Sequence, residues 1–109
     1  MPIKHPVKIR SAVIQGTVPV IFFKEAETFI AYTPALDFST CGNTYEQTRR
    51  RFAEALDIFF EECIKHGTLE EALQSYGWQK VSRPSPHWVP PLVVGHAEYP
   101  IHISVPAHA

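Results

Sequence analysis

Apolar residues recur at helical intervals between Thr44 and Gly67. Tyr45, Phe52, Ala55, Leu56, Phe59, Phe60, Cys63 and Ile64 follow the i, i+3, i+4, i+7 spacing of one helix face. Thr44 with Gln47 three residues on has capping-box spacing, and Gly67, after Lys65 and His66, supplies a stop. The pattern predicts an amphipathic helix of about six turns. Its outward face carries Arg49, Arg50, Glu54, Asp57 and Glu61. Thr68 with Glu71 repeats the capping-box spacing, and Leu69, Ala72 and Leu73 predict a second, shorter helix that Gly77 ends.

Upstream the pattern changes to short runs rich in β-branched and aromatic residues. Ile9 to Gln15 permits a short strand after a loose lead-in, and Gly16 punctuates it. Val18 to Phe23 predicts a strand in which Pro19 must lie at the start or on an edge. A polar turn, Lys24 to Glu27, joins it to a partner strand, Thr28 to Thr33, which Pro34 ends. Leu36 to Cys41 can form a third strand before Gly42 and Asn43.

Downstream, Trp78 to Val81 is short enough only for a brief strand. Residues 82–91 hold four prolines and are expected to be extended, neither helix nor central strand. Ile101 to Val105 alternates Ile-His-Ile-Ser-Val, an amphipathic strand. The fold class expected is α+β: an antiparallel sheet of three to four strands packed by one long and one short helix. Residues 1–81 form its body. Residues 82–109 are a Pro-rich extended tail with a C-terminal strand, either part of the same domain or exchanged between subunits.

Composition narrows the function classes. The chain has 109 residues, 45% hydrophobic and 19% charged, with a formal net charge of -1. That is one ordinary globular domain with no bulk attraction for nucleic acid or anionic membrane. No secretory leader and no membrane-spanning run is expected. Cys41 and Cys63 lack CxxC spacing and read as reduced, buried structural thiols in a cytoplasmic chain.

No catalytic residue, cofactor or metal is expected. Six histidines stand at positions 5, 66, 87, 96, 102 and 108, with no two four apart on a helix and none at finger spacing from a cysteine. Arg49, Arg50 and Arg51 could meet phosphate or a partner's carboxylates, or could pair with Glu46 and Glu54 on a solvated helix face. Trp88, in the Pro-rich stretch, is expected to dock either on the chain's own core or on a second copy. The partner-binding candidates are Arg49, Arg50, Trp88 and Tyr99. Phe22, Phe23, Phe29, Phe52, Phe59 and Phe60 read as core.

The run from Val20 to Ala55 resembles the HicB-like antitoxin family. Tyr32-Thr33-Pro34-Ala35-Leu36, Gly42, Thr44-Tyr45-Glu46-Gln47 and Phe52-Ala53-Glu54-Ala55-Leu56 match its pattern of hairpin, turn and helix start. Gly67 to Glu71 and Gly77-Trp78 are similar to the tail of one subgroup. The chain departs from it at Leu36-Asp37-Phe38-Ser39, where many members have Leu-Pro-Gly-Cys. It also has no recognisable C-terminal DNA-binding segment, so direct DNA binding is not expected. The resemblance implies a partial ribonuclease-H-like fold, a homo-dimer or tetramer, and a small RNA-cleaving, HicA-like toxin as partner. An orphan oligomeric adaptor without a toxin is the alternative. A residual metal-dependent nuclease is a third reading, for which the strands offer only Asp37.

Overall fold

The structure is a computed structural model that describes residues 13–14 and 16–107. The element order is β1 (Val13–Ile14), β2 (Ile21–Glu25), β3 (Thr28–Thr33), β4 (Phe38–Gly42), α1 (Tyr45–His66), α2 (Leu69–Ser75), β5 (Gln79–Val81) and β6 (His87–Val89). The fold class is α+β. An antiparallel sheet ordered β2-β3-β4 packs under α1, with a smaller sheet ordered β1-β6-β5 beside it. Most of the lead-in and of the Ile9 to Gln15 strand lies outside the described residues, of which Val13–Ile14 forms β1.

The hairpin is tighter than the polar run suggested. Lys24 and Glu25 stay in β2, Glu25 pairs with Thr28, and only Ala26 and Glu27 turn. Ala26 adopts φ 53, the left-handed region that so short a connection demands. Asp37, at φ 50, makes the second reversal before β4. The phenol of Tyr32 donates to the Asp37 carboxylate at 2.9 Å across that turn.

Helix α1 begins as its sequence requires. Thr44 Oγ1 accepts from the Gln47 amide at 3.0 Å, and Gln47 Oε1 accepts from the Asn43 amide at 2.6 Å. It ends in a Schellman motif at Gly67, φ 70, where Thr68 N–H donates to Cys63 O and Gly67 N–H to Ile64 O. The same motif explains why the second expected capping box is absent. The Thr68 amide closes α1 and its backbone stands at ψ 7 rather than in the extended N-cap geometry of Thr44, so its side chain caps nothing on α2.

The core lies between α1, α2 and the small sheet. Ala35, Leu36, Leu73, Trp78 and Trp88 are buried together, flanked by Phe38, Leu56, Phe59 and Phe60. The Trp78 indole N–H donates to Ala35 O at 2.8 Å, tying β5 to the turn before β4. Residues 87–89 correct the expectation for the Pro-rich stretch. His87, Trp88 and Val89 are its proline-free residues, so their amides are available and they form the central strand of the small sheet. The Pro-rich stretch is therefore part of the domain as far as Pro90, and the tail proper is 91–107.

Two burial expectations are also corrected by the period-2 rule of strands. Phe23 is 49% exposed and Cys41 is exposed. Both point to the sheet face away from α1, which no described element covers.

Candidate functional site

The main sheet has two faces and two edges, and α1 uses only part of them. It lies over β3 and β4, where Phe38 meets Phe52 and Phe59 at ring-centroid distances of 5.1 and 5.8 Å. Arg51 Nη1 donates to Cys41 O at 3.1 Å, bracing the β4 side. On the β2 side the helix makes its aromatic contact at its first residue, Tyr45 against Phe22 at 4.8 Å. Beyond that contact a groove of about 480 Å³ opens between the strand side and the helix. Its walls include Val18, Val20 and Phe22 on one side and Phe52, Leu56 and Phe60 on the other, with Arg49 and Trp78 also in the lining.

The outer edge of β2 is unpaired among the described residues. With a two-residue turn, Glu25 and Thr28 form the first hydrogen-bonded pair. Phe23–Ile30 and Ile21–Tyr32 are then the next bonded pairs. The backbone groups of Val20, Phe22 and Lys24 therefore point outward, and the side chain of Phe22 faces the groove. On the opposite face Ile21, 46% exposed, and Phe23 stand beside half-buried Ile30 and Tyr32. This is a second apolar surface.

The residues chosen from sequence fall in different places. Arg49 is exposed, pairs with Glu46 at 3.5 Å and lies 5.9 Å over the Tyr45 ring at the groove. Arg50 is exposed on the same turn. Tyr99 is 86% exposed on the tail. Trp88 is 3% exposed in the chain's own core, with Lys80 above its ring. These four do not converge. The groove and the far face carry more of the chemistry, and both were hidden inside runs that read simply as core.

Among the described residues, no three His, Cys, Asp or Glu side chains gather as metal ligands. Asp37 is engaged with Tyr32, whose pKa is raised above its usual value. The causes are that hydrogen bond first, then burial and the carboxylate charge. No described helix is long and apolar enough to cross a membrane.

No protein-family model matches this chain, and no curated protein or solved structure matches it.

Proposed function

We propose that this chain works by binding another protein, in the manner of an antitoxin that masks a small, RNA-cleaving, HicA-like partner. The observation that carries the reading is the uncovered far face of the sheet, with Ile21 and Phe23 about half exposed on its edge strand β2. Contiguous exposed apolar surface of this kind marks a docking site. Glu25 and Glu27 at the hairpin end give it an acidic rim suited to a basic, RNA-binding partner. The likeness of residues 20–55 to HicB-like antitoxins supplies the kind of partner. Arg49, Arg50 and Tyr99 are accessible for secondary contacts. Such a role is non-catalytic and cytoplasmic, in keeping with the free thiols of Cys41 and Cys63.

The test is co-expression with the product of a neighbouring short gene encoding a basic ribonuclease. A complex of fixed ratio that loses RNA cleavage, and regains it with Phe23→Glu, supports the reading. Binding indifferent to Phe23→Glu refutes the far face as the site. A second reading, an oligomeric adaptor without a toxin, is favoured by one specific observation, the exposed apolar tail.

A further inference from the structure

Residues 91–107 leave the domain as an extended arm without a ladder partner among the described residues. All seventeen are exposed, among them Leu92, Val94, Tyr99, Ile101, Ile103 and Val105 at 70–90%. Seventeen extended residues span about 50 Å. The molecule accordingly measures 74 × 28 × 27 Å, with a radius of gyration of 19.3 Å, where a compact chain of this length has about 13 Å. A charged or Gly/Ser-rich linker would be at ease in water. This arm is the opposite, since Tyr99, Ile101, Ile103 and Val105 place four large apolar side chains on one strand face.

We propose that the arm is exchanged between two copies, residues 99–105 of each adding as an antiparallel strand to the β2 edge of the other, which pairs with no other described strand on that side, and filling its groove. Three parities agree on this. The first is that of the prolines. Pro100 and Pro106 are both even-numbered, so the side of the strand that lacks donors is the side to which even residues point their backbone. The odd residues must then face β2.

The second parity is that of the acceptor, where Val20, Phe22 and Lys24 present the outward backbone groups. Residues paired directly across a ladder share a face. The third parity follows, because Tyr99, Ile101, Ile103 and Val105 then lie on the Phe22 side, the side of the groove. An arm shifted by one residue would meet β2 with Pro100 and turn His102 and Ser104 into the apolar groove.

The same arrangement limits assembly to a closed pair. Once docked, the new outer edge carries Pro100 and Pro106, which cannot accept a further strand. The four large apolar side chains of each docked strand, at about 100 Å² each, withdraw about 800 Å² from two arms, and the groove walls and β2 edges they cover withdraw about as much again. That reaches the roughly 1,200–2,000 Å² of a stable interface. Reciprocal exchange satisfies the self-complementarity a two-fold dimer requires. The inference does not rest on the toxin-binding reading, since it uses the other face and the edge of the sheet.

The experiment is light scattering on the full chain, with Ile101→Asp/Ile103→Asp as the donor variant. Both positions are 77% exposed or more within one chain, so the monomer fold, followed by circular dichroism, is unaffected. The wild type should be a dimer and the variant a folded monomer, its association weakened by about 100-fold or more. The acceptor variant Lys24→Pro, which removes an outward-facing donor and none of the donors to β3, should also be monomeric. Mixing it with the donor variant should restore only heterodimers, through the one intact arm and the one intact edge. A monomeric wild type, or a dimer that survives both aspartates, overturns the proposal. If Lys24→Pro fails to fold, disulfide trapping replaces it, using Ile103→Cys with Phe22→Cys in a chain lacking Cys41 and Cys63. Cross-links within one chain rather than between two would also overturn exchange.

Discussion

Trp78→Phe isolates one hydrogen bond in the middle of the core. Trp78 is 4% exposed, and its indole N–H donates at 2.8 Å to the carbonyl of Ala35, which is 3% exposed. Phenylalanine keeps an aromatic ring against Phe60, whose centroid lies 6.4 Å away, but removes the donor. A buried carbonyl left without its partner costs about 1–3 kcal/mol. The smaller ring leaves a void that costs on the order of 1 kcal/mol, at about 24 cal/mol per Å³. The sum, about 2–4 kcal/mol, is a large share of the roughly 5–15 kcal/mol that stabilises a domain of this size. Each kcal/mol lowers Tm by about 4–8 °C.

The matched control is Trp88→Phe. Trp88 is equally buried at 3% but donates no indole hydrogen bond among the described residues. It should therefore lose only the void contribution, about 1 kcal/mol. Urea titration followed by circular dichroism compares the two variants at constant m-value. In each variant the remaining tryptophan serves as a buried fluorescent reporter. Equal losses for the two would refute the hydrogen-bond assignment, and a loss below about 0.5 kcal/mol at Trp78 would refute its place in the core.

Other perturbations follow from local geometry. Thr44→Ala removes the acceptor for the Gln47 amide and should cost about 1 kcal/mol in thermal unfolding. Gly67→Ala meets no atom within 4 Å but forces φ 70 on a side chain, so it should cost about 1–2 kcal/mol through the backbone alone. Gly42→Ala should cost more than that, because its Cβ would stand 2.7 Å from Thr48 Oγ1, a group held under α1. Asp37→Asn should bring the raised pKa of Tyr32 back down, as read by ultraviolet titration of the phenolate. Because the folded chain holds that proton longer than the unfolded one, this contact stabilises below pH ~10 and is lost as pH rises further. The variant should therefore unfold with a flatter dependence above pH ~10.

What the sequence made legible was whatever depends on neighbours in the chain. The bounds of α1 follow from Thr44, Gln47 and Gly67, all local devices, and β3 occupies Thr28–Thr33 as its pattern required. What stayed hidden depends on layers. Phe22 and Phe23 are alike in any hydropathy plot, yet one faces the groove and the other the uncovered face. Which is which follows only from where α1 comes to rest. Thr68 looked like a side-chain cap because the spacing to Glu71 was right, but the turn that closes α1 on Cys63 O leaves Thr68 at ψ 7, not in the extended geometry from which Thr44 caps. His87–Val89 looked unfit for a central strand because prolines were counted across the stretch rather than at the three residues that pair. The candidate contacts Arg49, Arg50, Trp88 and Tyr99 were chosen by residue type, and type alone cannot say that Trp88 is buried while Tyr99 is not.

The two proposed surfaces lie on opposite sides of one sheet, and this makes them separable. The arm would enter on the Phe22 side, under α1, while a toxin-like partner would meet Ile21 and Phe23 on the other. Side chains of adjacent strand residues cannot reach the same face. Dimerisation and partner binding should therefore respond to different substitutions. Ile101→Asp/Ile103→Asp should give a monomer that still captures the partner with its intrinsic affinity, weakened only by whatever a second site adds through avidity. Phe23→Glu should give a dimer that captures nothing. The pair of results, read by light scattering and by titration calorimetry, assigns each face its own role. A single variant that abolished both would show instead that the sheet is one binding surface, and that its period-2 division has no functional meaning.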